Sequence, residues 1–110
     1  MSAKYELKKS ANAQFFFNLK AANGEVILSS EQYEEKSSAT NGIESVRKNA
    51  PDDARYERKT SKDGKPFFVL TAANGQTIGK SEMYESTSSM ENGIVSVKKN
   101  APDARVEDLT

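Results

Sequence analysis

Sliding the chain along itself by 51 residues brings Lys4–Asp52 onto Arg55–Asp103 without a gap, and 28 of those 49 positions are identical. A tandem duplication constrains the fold more than any single motif, because whatever one copy forms the other must form too. The matched blocks are Phe16-Phe17 with Phe67-Phe68, LKAANG with LTAANG, Tyr33-Glu34 with Tyr84-Glu85, and NGIESVRKNAPD with NGIVSVKKNAPD. Asp53 is the one extra residue, at the junction. The whole chain, 110 residues, is the size of one ordinary domain. A unit of about 50 residues buries too little surface to be comfortable alone, so the repeats, 4–53 and 54–110, are expected to share one core.

Each copy has the same grammar. QFFFNLK and KPFFVLT are apolar and aromatic enough for strands, and both run into Ala-Ala-Asn-Gly. Asn-Gly tolerates the positive backbone angles of a type I′ hairpin turn, which predicts a return strand in EVILSS and QTIGKS. YELKKS and YERKTS supply an earlier strand in each copy, set off by the turn-like Ala11-Asn12-Ala13 and Lys62-Asp63-Gly64. The period then changes. Ala39, Ile43, Val46 and Ala50, like Met90, Ile94, Val97 and Ala101, fall at spacings of four, three and four, which places them on one stripe of a helix. Ser37 or Ser88 is the expected N-cap, with Glu91 completing a capping box in the second copy. Arg47-Lys48 and Lys98-Lys99 suit the helix C-terminus, and Asn49 and Asn100, with Pro51 and Pro102 close behind, end the helices. ARYERKT and ARVEDLT then read as short strands closing each unit, the middle one also opening the second. A helix with an apolar stripe needs a sheet to cover it, so the expected class is α+β with pseudo-twofold symmetry.

LKAANGEVILSSEQY followed by SSATNGIESVRKNAPD resembles the signature of the YegP-like proteins, a small uncharacterised bacterial family, and the chain resembles its two-repeat branch. The resemblance covers nearly the whole sequence, twice. It implies two β3-α-β units forming a single antiparallel sheet, with exchanged C-terminal strands and both helices on one face. It also implies that one-repeat members assemble this architecture as dimers, so that a duplicated chain is complete as a monomer with an internal pseudo-dimer. It brings no activity, cofactor or catalytic residue.

Composition narrows the chemistry. Cysteine and histidine are both absent, which removes disulfides, thiolate zinc sites, cysteine nucleophiles and the usual general base at neutral pH. No cofactor or metal site is expected, and an enzyme is not the leading expectation. Sixteen basic residues balance 16 acidic ones, which argues against strong non-specific nucleic-acid binding. The N-terminal MSAKYELKKS lacks the apolar stretch of a secretory signal, and no apolar run has the length of a membrane span, so a cytoplasmic protein with no membrane partner is expected.

Three candidate sites remain. Alternation along the strands puts Phe15, Phe17 and Leu19 opposite Phe16, and Phe68 and Leu70 opposite Phe67 and Val69. With helices on one face, Phe16, Phe67 and Val69 lie on the other, a surface for a protein partner unless tails or edge strands cover it or the three are too scattered to form a patch. The leading expectation is therefore a binding or structural module working through this face or the groove between the repeats. The alternative is a small-ligand or anion site at the helix starts, built from Tyr33, Ser37 and Ser38 in one copy and Tyr84, Ser88 and Ser89 in the other. Capping by the serines and packing by the tyrosines is the competing account. A third reading, nucleic-acid binding, would use Lys48 and Lys99 at the helix ends. Gly42 and Gly93 sit inside the helical stripe, where glycine is about 1 kcal/mol worse than alanine, so a close approach by a neighbour is expected there.

Overall fold

The structure, a computed structural model, describes residues 3–110 and repeats one motif twice. Strands β1 (Lys4–Lys9), β2 (Phe15–Lys20) and β3 (Val26–Ser29) lead to helix α1 (Lys36–Asn49). Strands β4 (Tyr56–Thr60), β5 (Pro66–Thr71) and β6 (Thr77–Lys80) lead to helix α2 (Thr87–Asn100), and β7 (Arg105–Asp108) follows. All seven strands form one sheet in the order β4-β5-β6-β3-β2-β1-β7, so the copies meet at β3 and β6, which pair antiparallel at Ser29 and Lys80. The α+β architecture and the exchange of the last strand are as expected, since β7 leaves the second copy and joins β1 of the first. One detail differs: β7 runs parallel to β1, so the sheet is not wholly antiparallel. A strand that arrives from a helix is not obliged to reverse direction as a hairpin arm is, and its sense follows from where α2 ends.

The hairpins also differ from the expectation. Asn23 and Asn74 do not take positive φ; Gly24 and Gly75 alone do, each at 87°. Ala21 N–H donates to Glu25 O and Gly24 N–H to Ala21 O, both at 2.9 Å, which is the three-residue loop of a type I turn followed by a left-handed residue. The β1–β2 and β4–β5 turns have the same hydrogen bonds, with Ala13 (φ 66°) in the place that Gly64 (φ 85°) fills in the second copy.

The helical stripe is the core. Ala39, Ile43, Val46 and Ala50, and Met90, Ile94, Val97 and Ala101, are all at most 3% exposed, facing Tyr5, Phe17, Leu19, Leu28, Phe68 and Leu70 from the sheet. Each fully buried Val, Leu or Ile among them stabilises by about 1.5–3 kcal/mol. Neither repeat could bury its stripe alone: α1 rests on β1 and β2 of its own copy and on β5 and β6 of the other, and α2 rests on β5 and β3. The tie is reciprocal at the helix ends. Tyr5 of the first copy donates its hydroxyl to Ala101 O beyond α2 (2.7 Å), and Tyr56 of the second donates to Ala50 O beyond α1 (2.8 Å). Each repeat thus caps the helix of the other, and burial holds both phenols well above their usual pKa.

At the helix starts the caps lie earlier than expected. The N-cap of α2 is Ser86, whose hydroxyl accepts from Ser89 N–H at 3.1 Å, and the N-cap of α1 is Glu35, which makes no side-chain cap. The sheet decides this, because Tyr33 N–H and Tyr84 N–H donate to Phe15 O (2.6 Å) and Pro66 O (2.8 Å) and so fix where the chain turns into each helix. Glu91 closes no capping box; it makes a two-point ion pair with Arg58 (2.6 and 3.1 Å). Gly42 and Gly93 lie where a neighbour crowds the helix. A methyl at Gly42 would stand 2.7 Å from the Tyr33 hydroxyl and 3.0 Å from Phe17 Cε2, and one at Gly93 would overlap Tyr84.

Candidate functional site

The helix-free face of the sheet is organised by register. One row crosses all seven strands: Glu57, Val69, Lys80, Ser29, Asn18, Glu6 and Glu107 are successive cross-strand partners. The middle of this row is the seam between the repeats, and a concavity of about 280 Å³ opens there, lined by Ser29, Val69, Gly79, Lys80, Glu31 and Glu82 among others. The groove is asymmetric although the strands that form it are pseudo-equivalent. Leu28 of the first copy corresponds to Gly79 of the second, Ser29 to Lys80 and Asn18 to Val69. The first of these pairs is complementary: a Cβ on Gly79 would stand 2.7 Å from Leu28 Cγ, so one large side chain fills the space of two.

The three residues expected on this face all point to it, but they do not form a patch. Val69 differs from the expectation in exposure, at only 5%, because it lies in the middle of the sheet with neighbours on both sides and forms part of the groove wall. Phe16 and Phe67 are half-buried. They stand two residues from Asn18 and Val69, and since β2 and β5 run in opposite senses, the rings diverge from the row in opposite directions. Three strand spacings across and four residue rises along give a separation of roughly 20 Å. Each ring has a lysine directly across the ladder, Lys8 for Phe16 and Lys59 for Phe67, and Lys80 Nζ lies 5.1 Å from the centroid of Phe67.

Sequence reasoning missed the charge arrangement beside Phe16. Glu6 is 6% exposed, and Lys4, Lys8 and Lys20 converge on its carboxylate at 3.4, 3.4 and 3.2 Å. Lys4 bridges onward to Glu107 at 3.1 Å. Burial alone would raise the pKa of Glu6, and the three ammonium groups outweigh it, so the carboxyl sits below its ordinary value. Alternating charges in KYELKK hint at this cluster, but Lys20 joins it only through the β1–β2 register. Ser30 and Ser81 are committed to the backbone: each accepts a sheet N–H, from Phe17 and Phe68 at 2.9 Å, and donates to the next residue's carbonyl.

At the helix starts the copies are unlike. Tyr33 and Tyr84 turn their rings into the helix–sheet interface, Tyr84 stacked on Phe68 at 6.3 Å, and partial burial raises both phenols. In α2 the Ser86 hydroxyl lies 3.2 Å from that of Ser88 and 3.0 Å from that of Ser89. Tyr84 and Ser89, with Asn92 and Ser96, border a cleft of about 220 Å³ facing Asn23 and Glu25 of the first repeat's hairpin. In α1, Glu35 replaces the capping serine, and Ser37 and Ser38 border none of the clefts described here. Lys48 borders the pseudo-equivalent cleft, with Ser45, Asn49 and Ala72–Asn74. Lys99 is exposed at the end of α2. Among the described residues no cluster of three or more potential ligands is placed to hold a metal, and no helix is long and apolar enough to cross a membrane.

Comparison with known proteins places this geometry. The family model described as "Domain of unknown function (DUF1508)" matches residues 10–57 and again 61–108, framing each repeat as a hairpin, a helix and the strand that follows. A UPF0339 protein of Bordetella pertussis is 58% identical over 106 residues, covering 96% of each chain. The solution structure of a UPF0339 protein from Shewanella oneidensis matches with a TM-score of 0.94 at 56% identity, over all of this chain and 93% of that one. The solution structure of yegP from E. coli, described as a protein of unknown function, matches with a TM-score of 0.94 at 53% identity, over all of this chain and 95% of that one. With both copies matched by the family model and this likeness extending over the full chain, the protein belongs to the DUF1508 family, as a two-repeat, YegP-like member.

Proposed function

We propose that this chain is a non-enzymatic binding module that takes a protein partner on the helix-free sheet face, centred on the groove between the repeats. The observation that carries the reading is the groove itself: it lies on the seam, it is open, and Val69 and Lys80 border it, giving one apolar and one cationic anchor. The charge on the surrounding face says what kind of partner fits. Alternation places Lys4, Lys8, Lys20, Lys59, Lys80 and Arg105 on the strands there against Glu6, Glu57 and Glu107, while Glu31 and Glu82 line the groove itself, which favours a partner that sets acidic groups over the strand lysines and a basic or neutral one in the groove. The working form is a monomer, which the helices' shared burial across both repeats supports, and its place is the cytoplasm. The test is an affinity capture from the native cell with the intact protein, followed by amide-shift mapping of the captured partner. Shifts should centre on Ser29, Val69 and Lys80 and be lost with Lys80→Glu. A partner that shifts only helix amides would sink this reading.

One observation favours a second reading, a small polar ligand at the start of α2: there Tyr84, Ser89 and Asn92 border one cleft. Its walls also carry Glu25 and Glu82, which favour a neutral or cationic ligand over an anion. Metabolite screens that leave the Tyr84, Ser89 and Asn92 amides unmoved would dismiss it.

A further inference from the structure

The pseudo-twofold leaves one strand position empty. On its outer side β1 is covered by β7, in parallel register with Lys4 opposite Arg105, Tyr5 opposite Val106, Glu6 opposite Glu107 and Leu7 opposite Asp108. β4 is the equivalent of β1 in the second repeat, and among the described residues it pairs with β5 alone. The cause is covalent: the segment leaving α1 has to open the second repeat, so β4 does the work of two strands and nothing is left to flank it. Burial records the difference. The Glu6 side chain is 8% exposed under its neighbours, that of its counterpart Glu57 is 55% exposed, and buried Leu7 is matched by exposed Arg58.

We infer that the outer edge of β4 is a docking site for an extended segment of a partner protein, β-branched and then acidic in sequence, which adds as an eighth strand parallel to β4. The chemistry comes from the strand that already fills the equivalent place, Arg105-Val106-Glu107-Asp108. Transposed by one repeat, its β-branched residue lies over Tyr56 and its second carboxylate falls opposite Arg58, while its first stands beside Glu57, which Lys59 pairs at 3.6 Å as Lys8 pairs with Glu6. The backbone is aimed correctly from Tyr56 O onward, the Tyr56 N–H itself being taken by Asp53 O in the turn that precedes β4. Leu7 O accepts from Leu109 N–H at 2.8 Å, so the peptide groups of Leu7 face β7, and by equivalence those of Arg58 face the bare edge. Arg58 is also held in place: its Nε and Nη2 are engaged by Glu91 and Asp53, while Nη1 has no hydrogen-bond partner among the described residues. Charged side chains on an edge of this kind discourage indiscriminate pairing between copies, yet admit a strand that brings matching charge.

The test uses the intact protein and a synthetic peptide of its own residues 104–110, ARVEDLT, as the probe, read by amide shifts. Saturable shifts are expected at Tyr56–Thr60, with affinity in the range of roughly 1 mM that a short unconstrained strand permits. Arg58→Gln should weaken binding at least about fivefold, and a peptide N-methylated at the Glu107 position, unchanged in charge, should not bind. No β4 shift at roughly 5 mM peptide overturns the inference. So do shifts confined to β1 and β7, which mean strand exchange, and equal shifts with the N-methylated peptide. If the β4 amides move with protein concentration alone, the edge serves a second copy and the partner-segment reading is wrong.

Discussion

Gly93→Ala tests the packing seam directly. In an exposed helix the change would stabilise by about 1 kcal/mol. Here the new methyl overlaps the Tyr84 hydroxyl, stands 2.7 Å from Tyr84 Cζ and 3.2 Å from Phe68 Cε2. Rotating the hydroxyl cannot relieve a contact at Cζ, so the ring has to swing. That ring is stacked on Phe68, and its backbone is pinned by the bond from Tyr84 N–H to Pro66 O. Overpacking of this kind costs about 1–3 kcal/mol, and disturbing the stack adds about 0.5–1.5 kcal/mol. Against the propensity gain, the net expectation is a loss of about 1–2 kcal/mol, or roughly 4–8 °C in Tm for a domain of this size. In a Tyr84→Ala background the obstruction is gone, and the same substitution should stabilise by about 1 kcal/mol. The assay is urea unfolding of all four proteins, followed by circular dichroism and compared at a common m value. Gly42→Ala should follow the same pattern more weakly, because there Tyr33 Cζ lies at 3.2 Å. If Gly93→Ala is equally stabilising in both backgrounds, the seam does not exclude a methyl and the reasoning fails.

Three further outcomes are expected. Ala13 holds a left-handed φ of 66° where the second copy uses glycine, so Ala13→Gly should raise stability by up to about 1 kcal/mol in thermal melts, while Gly64→Ala lowers it. Leu28→Gly should cost about 3–5 kcal/mol and Gly79→Leu about 1–3 kcal/mol, yet the double exchange, which moves the large side chain to the other repeat, should be milder than the sum by at least about 1 kcal/mol in denaturant titrations. The Glu6 carboxyl is held below its ordinary value of 4.5, so the stability it contributes is complete above that pH and is lost as pH falls through the lower folded-state value. Glu6→Gln should therefore be less stable than the parent near neutrality, with the gap closing below about pH 4; a gap that is constant with pH would show that the charge cluster does not act as described.

Much of the fold was legible locally. The four, three and four spacing of Ala39, Ile43, Val46 and Ala50 names a buried helical face wherever the helix ends up, and the alternation in QFFFNL put Phe16 opposite Phe17 correctly. What failed depended on neighbours distant in sequence. Ser37 is a good capping residue, but the helix begins before it because Tyr33 is tied to Phe15 across the sheet. Val69 alternates outward like Phe67, yet only its central place in the strand order buries it. The same holds for the candidate site: Phe16 and Phe67 were visible as outward aromatics, but the roughly 20 Å between them follows from the order and sense of four strands.

By itself, then, the sequence determined that there are two copies of one unit, which segments are strands and helices, which faces are apolar, and that disulfide, thiolate and imidazole chemistry are absent. These are local properties, set by side-chain period and backbone preference. Tertiary structure alone decided that the copies join at β3 and β6, that Leu28 fills the space above Gly79, that three lysines gather on Glu6, and that β4 is left without an outer partner among the described residues. Strand pairing is a choice among distant segments with similar patterns, and which of them meet is settled by covering both helical stripes at once, a condition that no stretch of either repeat contains alone.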